Sequence, residues 1–397
     1  MGPTRTGALV GVGCVAAAGL AWLFGLPEVA ALAAAGLVLL GVSILWVRVR
    51  RPRLAIDRVA RPARLEVGDR CEIRLTARNP GQRRSPVLTL VDEVGPHGTA
   101  QLELAPLARG ERCVATYSMP TTRRGLHHVG PLTTTVEDPF GLARRSRHDD
   151  RRLSVIVLPR TSQLRAMPEA PGDEPEHGTH ALTSASTVDD EFAALRDYVP
   201  GDDVRRIHWR STARRGAPVV RQFDVPWQRR TVVVLDLRPG VDDAAFERAV
   251  SAAASVLTLV ERRDELVRLI TTEGADSGFV PASEHLDELM DRLAMVVPVP
   301  TDRERPAPLL GMLGQLSGSD SGRVVTCTAG LNDDDVTGLG RATRRIGLHV
   351  MVATGPDAPL PRLERMLVVR ADGRRDLHDA WESDLAAAGV STGSPAR

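Results

Sequence analysis

The residues able to do chemistry crowd into Tyr198–Arg221, YVPGDDVRRIHWRSTARRGAPVVR. Asp202, Asp203 and His208 are the carboxylates and imidazole that a hydrolase or phosphotransfer reaction would use as acid and base. Trp209, set among Arg205, Arg206, Arg210, Arg214 and Arg215, is the composition of a protein-binding surface, where Trp and Arg dominate binding energy. Candidates elsewhere are sparser: Asp236 closes an apolar run, Asp333-Asp334-Asp335 precedes a helix, and His127-His128 stand side by side. The histidine pair belongs to a strand, where neighbours face opposite ways and cannot easily share a metal. The three aspartates read as an N-cap and a solvated first turn. No P-loop, H-E-x-x-H or G-x-S-x-G occurs, so three common catalytic signatures are missing.

Those residues need elements to position them. Pro200-Gly201 punctuates the chain, and Asp202 is expected to cap a helix that Gly216 closes. Asp203 then lies at the positive end of that helix, with Arg214 and Arg215 at its negative end. Val204, Ile207 and Ser211 share one face; Arg205, Trp209 and Thr212 share another. Trp209 is expected to be buried against the following sheet, with its N–H satisfied by a carbonyl. The alternative is an exposed anchor ringed by arginine. Alanine at this position separates the two: loss of folding in one case, loss of partner in the other.

Thr231–Leu237 is a continuous apolar strand of the kind buried on both faces of a parallel sheet. Phe246, Val250, Ala253, Leu257 and Val260 follow at helical spacing. Strands over Leu266–Thr271, Val324–Thr328 and Leu348–Ala353 alternate with helices near Glu284–Leu293 and Asp333–Arg345, which argues a doubly wound α/β domain over 231–390. Residues 51–160 show period-two alternation instead, clearest in CEIRLTAR (71–78), and read as a β-sandwich. Within it Asp138-Pro139-Phe140-Gly141 reads as a turn with a buried anchor. Residues 161–190, rich in Pro, Gly, Glu, His, Ser and Thr, read as a linker, and 191–230 as a separate signature segment.

Two uncharged apolar runs, about 8–24 and 29–47, open the chain, separated by Gly-Leu-Pro-Glu. A run of that length spans about 28 Å as a helix, close to the thickness of bilayer hydrocarbon. They predict a transmembrane hairpin, with Gly7 and Gly11 allowing close approach. Arg5 before it and Arg48, Arg50, Arg51 and Arg53 after it place both termini in the cytoplasm and Glu28 outside. The expected location is the inner or plasma membrane, with the soluble domains cytoplasmic. A signal peptide cleaved near Ala33-Ala34-Ala35 would leave an apolar start, LVLLGVSILWV, and is rejected.

Bulk composition narrows the partners. With 51 basic against 50 acidic residues there is no global field for nucleic acid, and 3% aromatics offers no stacking surface for single strands. Every basic residue is arginine, which reads as compositional bias. Cys14, Cys71, Cys113 and Cys327 are scattered without a C-x-x-C, so a zinc site is not expected. Cys71 and Cys113 fall in strands that could be neighbours, though free thiols are the default in a reducing compartment.

Tyr198, Pro200, Gly201, Asp202, Asp203, Arg205, Ile207, Trp209, Ala213 and Arg214 resemble the signature of the bacterial family called domain of unknown function 58. Arg124-Gly125, His128-Val129-Gly130-Pro131-Leu132 and Asp138-Pro139-Phe140-Gly141-Leu142 resemble a second pattern of that family. His208 departs from it, standing where many relatives carry an acidic residue. The resemblance implies a von Willebrand factor A-like fold for the α/β domain. Metal-binding members of that fold end their first strand in Asp-x-Ser-x-Ser. Here only Asp236 remains, with Arg238 and Gly240 in place of the hydroxyls and Ala329 where a second carboxylate would stand. A pair of Asp236 with Arg238, or with another arginine, is therefore expected in place of a metal, and no cofactor.

The resemblance also implies a non-enzymatic adaptor working with a MoxR-type AAA+ ATPase, in assembly or maturation of envelope or metal-dependent complexes. Tyr198, Pro200, Gly201, Asp202, Asp203, Arg205, Trp209, Arg210 and Arg214 are the candidate partner-binding residues. Two alternatives stand beside it: an enzyme using His208 with Asp202 or Asp203, and an anionic-lipid-binding module built on the arginine helix.

Overall fold

The computed structural model describes residues 2–50, 54–95, 98–168, 192–198, 207–223, 229–299, 309–316, 322–355 and 366–388. The chain divides into two compact units, Met1–Arg160 with Met290–Met295, and Thr161–Leu289 with Val296–Arg397.

The first unit opens with β1 (Gly2–Pro3) and two helices, α1 (Arg5–Phe24) and α2 (Pro27–Val49). Thr4 caps α1 by accepting the Gly7 N–H at 2.9 Å, Gly25 ends it in the left-handed conformation, and Pro27 starts α2 where its missing N–H has no helical partner. Both helices are apolar on all sides and leave Leu9, Val12, Trp22, Leu32 and Val38 exposed. By length and composition each can cross a membrane. The expected role of Gly7 in helix–helix approach is corrected. Gly7 faces the Leu142 carbonyl, which any Cβ would strike, while Gly11 does face Leu40 of α2.

The strands that follow are β2 (Ala55–Arg61), β3 (Arg64–Glu66), β4 (Cys71–Arg78), β5 (Leu88–Val94), β6 (Thr99–Leu104), β7 (Arg112–Met119), β8 (Gly125–Glu137), β9 (Ala143–Asp149) and β10 (Leu153–Leu158). β2, β4 and β7 make one antiparallel sheet. The order β1-β9-β8-β10-β3, with β5 on β8 and β6 on β5, makes the other. Along β4 the alternation sorts the faces: Cys71, Ile73, Leu75 and Ala77 are buried, and Glu72, Arg74 and Arg78 are exposed. Residues of both sheets meet in two apolar clusters, one around Ile73, Val129, Val155 and Val157, the other around Leu75, Leu90, Leu104 and Leu132. Trp46 near the end of α2 packs on the second cluster. Cys71 and Cys113 sit on neighbouring strands at opposite ends of the register, facing Met119 and Ala77, and all four cysteines are free thiols.

A polar cluster interrupts this core. Arg58 Nη1 donates to Asp92 Oδ1 at 2.6 Å, and the Tyr117 hydroxyl donates to Asp92 Oδ2 at 2.6 Å. Burial pushes the Asp92 carboxyl above its usual range despite both bonds.

The second unit begins with residues 161–168, and here the expected linker is corrected. Leu164, Ala166 and Met167 are buried, and this segment bonds both to Ser255 and Arg262 and to helix α8 (Leu377–Ala387) at the other end of the sequence. Trp381 of α8 is fully buried and donates its Nε1–H to the Ala166 carbonyl at 2.7 Å. The rest of the linker lies outside the described residues. β11 (Phe192–Asp197) and β12 (Val219–Phe223) form an antiparallel pair, with α3 (Trp209–Arg215) between them in sequence.

The remaining elements are β13 (Arg230–Leu235), α4 (Asp243–Arg262), β14 (Leu266–Thr271), β15 (Val280–Pro281), α5 (Ala282–Met295), α6 (Leu309–Gln315), β16 (Arg323–Thr328), α7 (Asp333–Ala342), β17 (Leu348–Ala353) and β18 (Met366–Arg370). Their sheet order is β15-β14-β13-β16-β17-β18, parallel throughout except for the short β15 at one edge. This is a doubly wound order that reverses between β13 and β16, which places a crevice at the carboxyl ends of those two strands. Val232, Val234, Val324 and Met351 form the core against α6 and α7 with Leu313 and Leu339. At the amino ends Arg323 Nη1 reaches Glu265 Oε2 at 3.0 Å, a fully buried ion pair. Buried His349 shares a hydrogen with Thr326 Oγ1 at 2.9 Å, and burial lowers its pKa to about 4.

Candidate functional site

A bonded polar cluster stands in the crevice at the carboxyl ends of β13 and β16. β13 runs straight into Asp236, whose N–H still pairs with the Cys327 carbonyl at 3.0 Å, so the carboxylate is delivered at the strand end with little freedom. Arg238 then doubles back, helped by the Pro239-Gly240 turn in which Gly240 has φ 75°. Its Nε donates to Asp236 Oδ2 at 2.6 Å and its N–H to Asp236 Oδ1 at 3.2 Å. Thr328, the last residue of β16, donates its hydroxyl to the same Oδ2 at 2.9 Å. Arg238 Nη1 continues to Asp335 Oδ2 at 2.5 Å. The crevice is thus closed by a carboxylate–guanidinium–carboxylate bridge.

Two expectations change here. The aspartate triplet was expected to cap α7 and sit in water. The cap is Asn332, whose side chain accepts the Asp335 N–H while Asp335 accepts the Asn332 N–H, a reciprocal capping box. Helical periodicity then turns Asp335 inward, where it is buried, and leaves Asp333 and Asp334 exposed. The carboxylate of Asp236 was expected to stand alone, with Ala329 in place of its companion. Ala329 is buried and carries none, but Asp335 six residues later supplies a second carboxylate from the helix rather than the strand.

The electrostatics follow from burial. The Asp236 side chain is 2% exposed, and desolvation pushes its carboxyl up while Arg238, Thr328 and the Arg238 N–H pull it down. Burial lowers the Arg238 pKa, but Asp236 and Asp335 more than compensate, and the guanidinium stays charged. A hard divalent cation would want the same carboxylate and hydroxyl oxygens. Arg238 occupies them. Among the described residues no group of three His, Cys, Asp or Glu side chains converges as a metal site.

The signature segment is shorter as a helix than its pattern implied. Ile207 forms an isolated β-bridge with Val220 and the His208 N–H bonds the Val219 carbonyl at 2.8 Å, so residues 207 and 208 pair with β12 and α3 begins only at Trp209. His208, not Asp202, is therefore the N-cap residue of α3. Its Nδ1 lies 2.7 Å from Ser211 Oγ, and its carbonyl accepts the Ser211 and Thr212 N–H groups. Gly216 closes the helix in the left-handed conformation, as the sequence implied. Tyr198 is half-buried and bonds its N–H to the Pro218 carbonyl at 2.9 Å. Trp209 is 68% exposed, which corrects its expected burial in favour of the exposed alternative. Arg210 and Arg214 are exposed beside it. Pro200, Gly201, Asp202, Asp203 and Arg205 lie outside the described residues.

In the turn Asp138-Pro139-Phe140-Gly141 the buried anchor is the carboxylate, not the ring. Asp138 Oδ2 accepts the Phe140 N–H at 2.9 Å and Oδ1 the Ala143 N–H at 2.5 Å, while Phe140 is 61% exposed. Burial would raise the Asp138 pKa, but the N–H bonds from Ala143 and Phe140 outweigh it and hold the carboxyl below its usual range. His127 and His128 face opposite ways, as strand geometry requires: His127 is buried with Nε2 2.8 Å from the Arg123 carbonyl, and His128 is exposed near Ser154.

Residues 194–367, from β11 to β18, match the family described as protein of unknown function DUF58. That match covers under half of the chain. The DUF58 stretch thus holds α3 and the Asp236–Arg238–Asp335 bridge together. Similar chains include uncharacterized protein YeaD of Bacillus subtilis, 24% identical over 64% of this chain and 62% of that one. Uncharacterized protein Rv1480 of Mycobacterium tuberculosis is 33% identical over 34% of this chain. The chain spans less than two thirds of either relative, 62% and 42%. Among solved structures, the CARDB domain of the PF1109 protein from Pyrococcus furiosus, in complex with di-metal ions, aligns over 27% of this chain and 94% of that one, with TM-score 0.22 and 16% identity. A β-glucosidase from Listeria innocua aligns over 27% of this chain and 17% of that one, with TM-score 0.17 and 12% identity. Likenesses this slight carry no argument about this chain.

Proposed function

We propose that this protein is a membrane-anchored, non-enzymatic adaptor that works with a MoxR-type AAA+ ATPase in assembling or maturing envelope or metal-dependent complexes. The observation that carries the reading is the use of the sheet's crevice. In a doubly wound fold this is where a ligand or metal would bind, and Arg238 fills it with an internal bridge between Asp236 and Asp335. With its ligand position closed, the unit has its surface to offer. Trp209, exposed in the same short helix as Arg210 and Arg214, has the composition of a binding anchor. In this reading the fold is of the von Willebrand factor A type with a degenerate metal site, and Asp236 is the residue retained from it. The α1–α2 hairpin crosses the inner or plasma membrane and the soluble units face the cytoplasm. Arginine at both flanks, Arg5 before and Arg48 and Arg50 after, supports that orientation. His208, engaged with Ser211 as the cap of α3, has a sufficient structural role without catalysis.

The test is co-purification from solubilised membranes of the full chain and of Trp209→Ala, with mass spectrometry of what elutes. An AAA+ ATPase retained by the native chain and lost from a normally folded Trp209→Ala supports the adaptor. Absence of any ATPase from the native chain, or turnover of a substrate abolished by His208→Ala, sinks it.

A further inference from the structure

The turn Asp138–Leu142 is built more firmly than an exposed loop needs to be, and what it grips is the start of the apolar hairpin. The buried Asp138 carboxylate ties down two backbone N–H groups, and the Asp138 and Gly141 backbones close the turn through bonds of 3.1 Å to and 3.0 Å from their partners. The carbonyls left over point at α1. Gly141 accepts the Thr4 hydroxyl at 2.6 Å and Leu142 accepts the Thr4 N–H at 2.9 Å. Gly2 and Pro3 pair with Arg144 and Ala143 as an extra edge strand, and the bare Gly7 lets the Leu142 carbonyl lie directly on the first turn of α1. The end of α2 is seated in the same unit: Ser43 and Val47 are buried and Trp46 packs into the sandwich core, with Arg50 5.8 Å over its ring.

Thr4 therefore fixes a level. It is the cap of a 20-residue helix that just matches the hydrocarbon thickness, so in a membrane it lies at the polar boundary. The turn bonded to Thr4 lies at that boundary too. Phe140, one residue from Gly141, is held there with most of its ring uncovered. Arg5, Arg48, Arg50 and Arg144, on the elements that meet at this level, are all exposed as well. An aromatic ring with cations about it is the composition that settles at the interface of an anionic leaflet.

We propose that the turn Asp138–Leu142 is a membrane-interface anchor, in which Phe140 enters the headgroup region of the cytoplasmic leaflet and holds the sandwich against an anionic lipid surface. This rests on the membrane-anchored reading of α1 and α2. It concerns the first unit and a different surface from the arginines of α3. The hairpin and the turn would then grip the bilayer at two points, so the sandwich could not swing freely on its tether.

The full chain, with Cys14 and Cys113 changed to Ser, is reconstituted in vesicles of phosphatidylcholine and phosphatidylglycerol and labelled with an environment-sensitive fluorophore at one introduced cysteine. Labels go at Phe140→Cys, at Pro139→Cys with Phe140 kept, at Val38→Cys in mid-hairpin, and at Arg74→Cys on the exposed face of β4. The expected result is quenching by shallow brominated lipid and protection from iodide at 139 and 140, deep lipid quenching at 38, and free iodide access at 74. Iodide access at 139 and 140 equal to that at 74, with 38 still lipid-quenched, overturns the anchor and leaves the hairpin in the membrane. Iodide access at 38 as well overturns the membrane reading itself, and the anchor with it.

Discussion

Replacing Arg238 by alanine leaves two carboxylates facing each other across a crevice that water reaches poorly. The variant loses charge-assisted hydrogen bonds of 2.6 Å to Asp236 and 2.5 Å to Asp335. Each such bond contributes about 1.5–3 kcal/mol when well buried. The Arg238 side chain is 20% exposed, so water takes up part of the deficit around Asp335, whereas Asp236 at 2% has no such relief. A loss of about 3 kcal/mol at pH 7 is expected, at the low end for breaking a buried pair. The sign of its pH dependence is fixed by Asp236. Burial already pushes that carboxyl up, and without the guanidinium it climbs further above its unfolded value of about 4. A carboxyl with a raised folded pKa binds its proton more tightly in the native state, so the variant regains stability as pH falls toward the unfolded value. The deficit should therefore be smaller at pH 5 than at pH 7. Urea unfolding of the fragment Thr161–Arg397, followed by circular dichroism, measures it, and Asp236→Asn added to Arg238→Ala should recover a large part at pH 7. A loss below about 1 kcal/mol, the range of an exposed pair, or a loss equal at both pH values, would refute the account of the crevice.

Arg238→Ser should do more than destabilise: it frees Asp236, Asp335 and Thr328 oxygens for a hard cation, so millimolar manganese should raise its melting temperature and leave that of the native fragment unchanged. Trp381→Ala should cost about 3–5 kcal/mol, since it empties a fully buried indole site and strands the Ala166 carbonyl, read by the same urea titration. His349, held neutral by burial with its pKa near 4, must charge in the unfolded chain from about pH 6.5 downward. Stability should thus fall by about 3 kcal/mol between pH 6.5 and pH 4, and His349→Gln should flatten that slope; an unchanged slope would exonerate the histidine.

Periodicity made the strands of both units legible. β4 alternates in the fold as it does in the sequence, and Leu266–Thr271 and Leu348–Ala353 are strands over the residues their apolar runs marked. Such runs carry their own burial pattern, so no distant partner is needed to place them. Segments whose burial depends on a distant partner were not legible. Residues 161–168 look like linker because their partners are far off in sequence: Ser255 and Arg262 of α4, and Glu382 and Trp381 of α8, more than two hundred residues later. Asp335 looked solvated because acids at a helix start usually are. Only the register of the Asn332 cap turns one of the three toward Arg238.

The two tryptophans illustrate the same limit with opposite outcomes. Trp209 sits in a polar, arginine-rich stretch that leaves burial and an exposed anchor both open, with burial expected; Trp381 lies in LHDAWESDLAA, where nothing local marks it for the core. Neither local sequence carries the deciding fact. For Trp209 that fact is the β-bridge of Ile207 with Val220, which keeps residue 207 out of the helix and makes the exposed indole the first residue of α3. For Trp381 it is the arrival of Ala166 within 2.7 Å of the indole nitrogen. An indole needs both an apolar seat and an acceptor for its N–H to be worth burying. The fold gives both to Trp381. Trp209 is left with its ring uncovered beside Arg210 and Arg214, the exposure that the proposed partner anchor requires.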